Sequence, residues 1–311
     1  MPSAATPTGI ELHYETIGSP ADPPLLLVMG YGSQLIAWRG FSEMLAAGGR
    51  FVIEFDNRDS GLSSKLDGVE VDSEAVMAAA LAGDLERAAA LVPYTLRDLA
   101  ADGFALLDSL GIERAHLLGA SMGGMIAQQM AIERPERVLS LVSMMSTTGE
   151  PEVGRPTEEA FAALLTPSPT ERDAYIAASA AKMMVWASRR YGDLARAEAL
   201  AAASFDRCFY PQGVTRQFTA MLASGSRADG LRALAVPTLV IHGLDDTLIP
   251  PDGGERTAEL VPGARLMLVE DMGHDRPEPL WPLLTEAILR HTRAGRGGGV
   301  DSVRWADGCG S

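Results

Sequence analysis

The chain has 311 residues, 47% of them hydrophobic and 22% charged, enough to bury a full core for one α/β domain with a modest insertion. A formal net charge of −15 argues against nucleic acid or an anionic membrane as partner, because both attract basic surfaces. Residues 1–8 contain neither a basic segment nor an apolar one, and no later apolar run approaches the ~20 residues of a membrane span, so a cytoplasmic protein is expected. Strands are expected at 10–17, 25–29, 51–55, 116–119, 139–145, 238–242 and 265–270, alternating with helical stretches from about Ser33 onward. That alternation implies a parallel sheet covered on both faces. The Ala-rich stretch 71–91 has a helical period and forms an extra element. Residues 94–110 read as an amphipathic helix ending at Gly111, and 122–132 as a helix stopped before Pro135. The stretch 149–235 is too long for a loop and reads as short helices broken by Pro167, Pro169, Pro211 and Gly213. The glycine-rich tail 295–311 has no periodicity and is expected to be disordered.

Chemistry enters at Gly119-Ala120-Ser121-Met122-Gly123. This G-x-S-x-G pattern follows an apolar strand, and a hydroxyl at the tip of a tight strand-to-helix turn needs small residues two positions either side. The turn also aims the Met122 amide at the place where charge develops in acyl transfer. Two later strands end in further candidates. After 238–242 come Gly243, Asp246 and Pro250; after 265–270 come Gly273 and His274. The chain therefore reads Ser, Asp, His, each just past the carboxyl end of a predicted strand, where open parallel sheets bind ligands. Asp245 is the rival acid, and the spacing from Gly243 to Pro250 favours Asp246. His242 is the rival base but precedes the acid; His13, His116 and His291 lie within predicted strands or the last helix.

On these residues the chain resembles the α/β-hydrolases, from about Ile10 to about Arg293. Leu27-Val28-Met29-Gly30-Tyr31 resembles the family's third strand and oxyanion loop, and Asp56-Asn57-Arg58-Asp59-Ser60-Gly61-Leu62-Ser63 its D-x-R-G-x-G-x-S loop. The usual His-Gly is Met29-Gly30 here, and the glycine usual after the arginine is Asp59. The resemblance implies a mostly parallel twisted sheet flanked by helices, with a helical cap. The core is then 1–148 and 236–294, the cap 149–235, and 71–91 a helical insertion. It assigns Ser121 as nucleophile, His274 as base, Asp246 as acid and the amides of Tyr31 and Met122 as oxyanion donors. Asp56 and Arg58 brace their loop. Met183, Met184, Trp186, Phe205, Phe209 and Tyr210 of the cap are expected to wall an apolar pocket.

The implied function is hydrolysis of a small-molecule carboxylic ester through an acyl-enzyme, with no metal or organic cofactor. The loop motifs look most like methylesterases of anthracycline-type polyketides. A lactonase, a C–C bond hydrolase, a perhydrolase and a non-catalytic ligand-binding protein are the alternatives on this fold. A serine nucleophile disfavours the dehalogenase and epoxide hydrolase branches. A monomer or homodimer is expected. The two cysteines, Cys208 and Cys309, lie too far apart in the chain to suggest a disulfide framework or metal site, and Cys208 reads as a buried small hydrophobe.

Overall fold

A computed structural model describes residues 2–293; the expected tail 295–311, with Cys309, lies outside the described residues. Eight strands form one sheet in the order β1-β2-β4-β3-β5-β6-β7-β8. They are β1 (Ser3–Ala5), β2 (Glu11–Ile17), β3 (Pro24–Val28), β4 (Phe51–Phe55), β5 (Ala115–Ala120), β6 (Val138–Met144), β7 (Thr238–Gly243) and β8 (Arg265–Val269). β2 runs antiparallel to β1 and β4, and every other neighbouring pair is parallel. The three-residue β1 is absent from the sequence reading, because a run that short carries no alternation to detect.

The helices are α1 (Phe41–Ala47), α2 (Ser73–Leu81), α3 (Leu85–Ala90), α4 (Leu96–Ser109), α5 (Met122–Glu133), α6 (Glu158–Leu165), α7 (Arg172–Trp186), α8 (Leu194–Arg207), α9 (Pro211–Ser224), α10 (Ala228–Arg232), α11 (Pro251–Leu260) and α12 (Trp281–Arg293). Alternation along the strands divides the core into two layers. Leu26, Val28, Ile53 and Leu117 point to one face, under Leu99 and Phe104 of α4 and Ile126 and Met130 of α5. Leu25, Leu27, Val52 and Leu118 point to the other, under Phe41 and Leu45 of α1 and Leu284 and Ile288 of α12. Strands buried on both faces read as continuous apolar runs, which is why β3 is Pro-Leu-Leu-Leu-Val.

The stretch expected at 71–91 is two short helices. Asp72 caps α2 by accepting from the Ala75 amide at 3.0 Å, Asp84 caps α3 through Arg87 at 3.1 Å, and Gly83 turns between them at φ 74°. Both pack against α9. No helix among the described residues is long and apolar enough to cross a membrane.

Candidate active site

β5 ends at Ala120 and α5 begins at Met122, leaving Ser121 alone at the bend with φ 57° and ψ −123°. A non-glycine residue in that region is strained and is held by its surroundings. Here the Ser121 amide donates to the Met144 carbonyl at 2.9 Å, and the Ser121 carbonyl accepts from Ser146 Oγ at 2.9 Å. The flanking glycines are steric necessities. A Cβ on Gly119 would stand 2.0 Å from the Gly123 carbonyl oxygen, and one on Gly123 would stand 2.0 Å from that of Val28.

The loops after β7 and β8 meet this bend. His274 Nε2 lies 2.9 Å from Ser121 Oγ, and His274 Nδ1 lies 2.7 Å from Asp246 Oδ2. A carboxylate only accepts, so Nδ1 carries the proton and Nε2 is left to accept from the serine. Asp246 Oδ1 takes the amides of Leu248 and Ile249, each at 2.9 Å. Burial pushes the Asp246 carboxyl up, but the facing imidazoles of His274 and His242 outweigh it and hold the group below the ordinary carboxylate range. Gly243 lets the two loops touch, since a Cβ there would lie 2.1 Å from the Met272 carbonyl oxygen.

The rival residues are engaged elsewhere. Asp245 accepts the Arg189 amide at 3.2 Å. His242 donates from Nε2 to the Ile249 carbonyl at 2.7 Å, bracing the acid loop from beneath. His116 meets Ser140 Oγ at 2.8 Å, and His291 meets the Leu141 carbonyl at 3.1 Å. Burial pushes each of these two imidazoles down to about 4.

The loop after β3 closes the other side. A Cβ on Gly30 would stand 3.3 Å from Ser121 Cβ, so this backbone lies directly against the serine. Among the described residues, the amides of Tyr31 and Met122 donate to no protein acceptor. The loop is pinned from a distance: the Gly32 amide donates to Gln217 Oε1 at 2.9 Å, and Gln34 Nε2 donates to the carbonyls of Ser204 and Cys208 at 2.8 and 2.9 Å. Asp56 supports it from below, accepting the amides of Leu35 and Leu62 and pairing with Arg207 at 2.8 Å. Arg58 forks onto Asp102 with both contacts at 2.6 Å.

The alpha/beta hydrolase fold family matches residues 23–276. The chain belongs to the α/β-hydrolase family. It is 31% identical to the rhodomycin D methylesterase DnrP of Streptomyces peucetius, over 92% of this chain and 96% of that protein. The rhodomycin D methylesterase DauP of Streptomyces sp. (strain C5) is also 31% identical, with the same coverage. Among solved structures, the meta-cleavage product hydrolase CumD of Pseudomonas fluorescens IP01 superposes with a TM-score of 0.74 at 20% identity, over 95% of this chain and 98% of that one. That likeness is one of fold. The hydrolase class expected from the motifs is thus the class of its relatives.

This α/β-hydrolase has a cavity of about 1160 Å³ above Ser121 and His274. Met183, Met184 and Trp186 of α7 line it, with Phe209 and Tyr210. Phe205 does not. Its ring packs 5.2 Å from Tyr175 and 4.6 Å from Phe209, so it is spent behind the wall, supporting the two rings that do face the space. Cys208 also departs from expectation: it is half-buried at the end of α8 and lines the cavity, because the helix stops there, where its carbonyl accepts from Gln34 of the loop after β3.

The sequence reading missed the residues that join 149–235 to the site. The His274 amide donates to the Trp186 carbonyl at 2.6 Å, and Thr247 Oγ1 donates to the Val185 carbonyl at 3.1 Å, so the end of α7 is tied to the loops after both β8 and β7. Gln217 of α9 holds the loop after β3. Arg216 of α9 forks onto Asp59 at 2.8 and 2.9 Å, and Tyr94 Oη donates to the same carboxylate at 2.8 Å. Asp59 sits at φ 65°, which explains the glycine usual there and shows what replaced its freedom. Among the described residues, no cluster of three or more His, Cys, Asp or Glu is arranged to hold a metal ion.

Proposed function

We propose that the protein is a serine hydrolase that cleaves carboxylic esters through an acyl-enzyme, acting on the methyl ester of an apolar, ring-bearing small molecule. The observation that carries this is the continuous hydrogen-bonded chain Ser121–His274–Asp246, at 2.9 and 2.7 Å, beside the amides of Tyr31 and Met122, which have no protein acceptor among the described residues. The cavity of about 1160 Å³ has room for a polycyclic substrate. The likeness to two rhodomycin D methylesterases supports the methyl ester.

In this reading His274 Nε2 takes the Ser121 proton as Oγ attacks the ester carbonyl. The amides of Tyr31 and Met122 hold the oxyanion, and Asp246 stabilises the imidazolium without taking its proton. Collapse of the intermediate breaks the carbonyl–alkoxy bond, and His274 returns the proton to the leaving methoxide, releasing methanol. Water then loses a proton to His274 and attacks the acyl-enzyme, freeing the acid and restoring the Ser121 hydroxyl. No step calls for a metal or organic cofactor. Fluorophosphonate labelling of the wild type but not of Ser121→Ala, together with turnover of a methyl-ester panel, tests this. Labelling that survives the substitution overturns it.

A further inference from the structure

Arg276 lies two residues past His274 and lines the same cavity. Its guanidinium stacks 4.1 Å from the ring centroid of Trp38 and 5.8 Å from that of Phe41. Nη2 donates to the Ala37 carbonyl at 2.8 Å, while Nε is sealed from solvent without an acceptor. Nη1 donates to nothing among the described residues, and no carboxylate there forms an ion pair with this arginine. Burial pushes the guanidinium down to about 10, which leaves it charged at neutral pH.

The acids nearby are already occupied. Asp275 Oδ1 accepts the amides of Ser188 and Gly273, each at 3.1 Å, and burial pushes its carboxyl up. Glu278 pairs with Arg196, and Asp193 accepts the Arg196 amide at 3.0 Å to cap α8. Asp246 faces His274. The neighbouring Asp275 favours the charged guanidinium from a distance, but among the described residues no carboxylate closes on it, so Arg276 is a cation in a partly dry cavity without a hydrogen-bonded ion-pair partner, an arrangement that an anion reaching it would improve. Its mounting is rigid. Trp38, Phe41 and Trp281 form an aromatic floor with ring centroids 6.1 and 5.9 Å apart, and Trp281 Nε1 donates to the Arg276 carbonyl at 2.8 Å. A guanidinium held in one orientation loses little entropy on binding a carboxylate.

We propose that Arg276 anchors a carboxylate carried by the substrate, so that this hydrolase prefers ester-acids whose anionic group reaches Arg276 while the ester carbonyl lies on Ser121. The proposal rests on the serine-hydrolase reading and adds substrate charge to it. A net charge of −15 repels anions at long range, so the selection has to come from this local contact.

The test compares the monomethyl and dimethyl esters of naphthalene-2,6-dicarboxylic acid. Wild type is expected to show higher kcat/KM for the monomethyl ester. Arg276→Gln is expected to lower the mono-to-dimethyl ratio by roughly 10- to 100-fold, mainly through KM, the scale of a lost charge-assisted hydrogen bond, and Arg276→Lys to keep part of it. An activity-independent arm titrates Ser121→Ala with 2-naphthoate and with neutral 2-naphthamide. The anion is expected to bind more tightly, and the gap to close in Ser121→Ala/Arg276→Gln. Absent fluorophosphonate labelling and absent turnover of both esters overturn the hydrolase reading, while the titration still decides the role of Arg276. Turnover with no preference for the monomethyl ester and an unmoved ratio in Arg276→Gln overturns this proposal alone. If Arg276→Gln fails to fold, equal binding of naphthoate and naphthamide to Ser121→Ala overturns it just as well.

Discussion

Two loops at the carboxyl edge of the sheet each bury a carboxylate, and only one of them is linked, through His274, to Ser121. After β7, Asp246 faces His274; after β4, Asp59 faces Arg216. Both also accept backbone amides, Asp246 from Leu248 and Ile249 and Asp59 from Leu66. Both titrate below the ordinary carboxylate range: burial pushes each up, and the charged or hydrogen-bonding partners more than reverse it. What separates them is the partner. An imidazole can take up a proton and give it back, so the Asp246 pair can follow a proton through a reaction. A guanidinium keeps its charge throughout, so the Asp59 pair can only hold the chain in place.

Substitutions break this comparison at different depths. Ser121→Ala removes the group that the Asp246 loop serves, and kcat is expected to fall by roughly 10⁴ to 10⁶, because nucleophile, base and acid act as a unit. Retention of a tenth of wild-type activity in a contaminant-free preparation would contradict it. Next in size, Asp246→Asn keeps the shape but removes the charge that fixes the His274 tautomer, and a loss of about 10⁴ in kcat is expected. Asp245→Asn serves as the internal control. Among the described residues its carboxylate meets the Arg189 amide and a distant guanidinium alone, so its effect is expected to stay under about tenfold. Equal damage from the two would place the acid elsewhere.

How far the site could be read from the chain follows the same division. Ser121, Asp246 and His274 were legible because each sits within three residues of a glycine required by close backbone approach, and each follows a strand with a clear apolar run. Strands of five or more residues were legible for the same reason, whereas β1, with three, was not. The contacts that fasten 149–235 to the core left no local trace. Arg216 is 157 residues from Asp59, and Gln217 is 185 from Gly32, and neither pairing alters the spacing of its own helix. The Asp59 departure was visible as a missing glycine, but its meaning depended on a partner that no local pattern points to. Phe205 shows the opposite failure. An aromatic in a pocket-rich stretch looked like a wall residue, and only packing reveals that Tyr175 and Phe209 had already claimed its faces.

A brace can be tested without reference to the reaction. Asp59→Asn leaves the buried Arg216 without its charge partner, and a destabilisation of about 3–5 kcal/mol is expected in urea unfolding at pH 7. The dependence on pH has a definite sign. Since the folded Asp59 carboxyl titrates below its unfolded value of about 3.9, its stabilisation is fully present above that value. It is lost as pH falls through the folded value. The gap between wild type and Asp59→Asn should therefore be constant between pH 5 and 7 and narrow below about pH 4. A gap that widened in acid would mean that Asp59 is not the ionised partner of Arg216.

The smallest expected effect concerns the end of α7, which touches both loops of the comparison's reactive half. Trp186 contributes two separate things there: its carbonyl accepts the His274 amide at 2.6 Å, and its side chain lines the cavity. Trp186→Ala keeps the carbonyl and deletes the indole, so the relay should stay assembled while the apolar wall recedes. A substrate with a bulky ring loses buried area that an acetate never used. At about 25 cal/mol per Å², losing some 50 Å² of such contact is worth roughly 1 kcal/mol. KM for a naphthoate methyl ester is then expected to rise roughly fivefold relative to KM for methyl acetate, with kcat for the acetate nearly preserved. Steady-state kinetics on the two esters checks this. If kcat for both fell together instead, the indole would be acting through the position of His274, and the end of α7 would belong with the relay and not with the pocket.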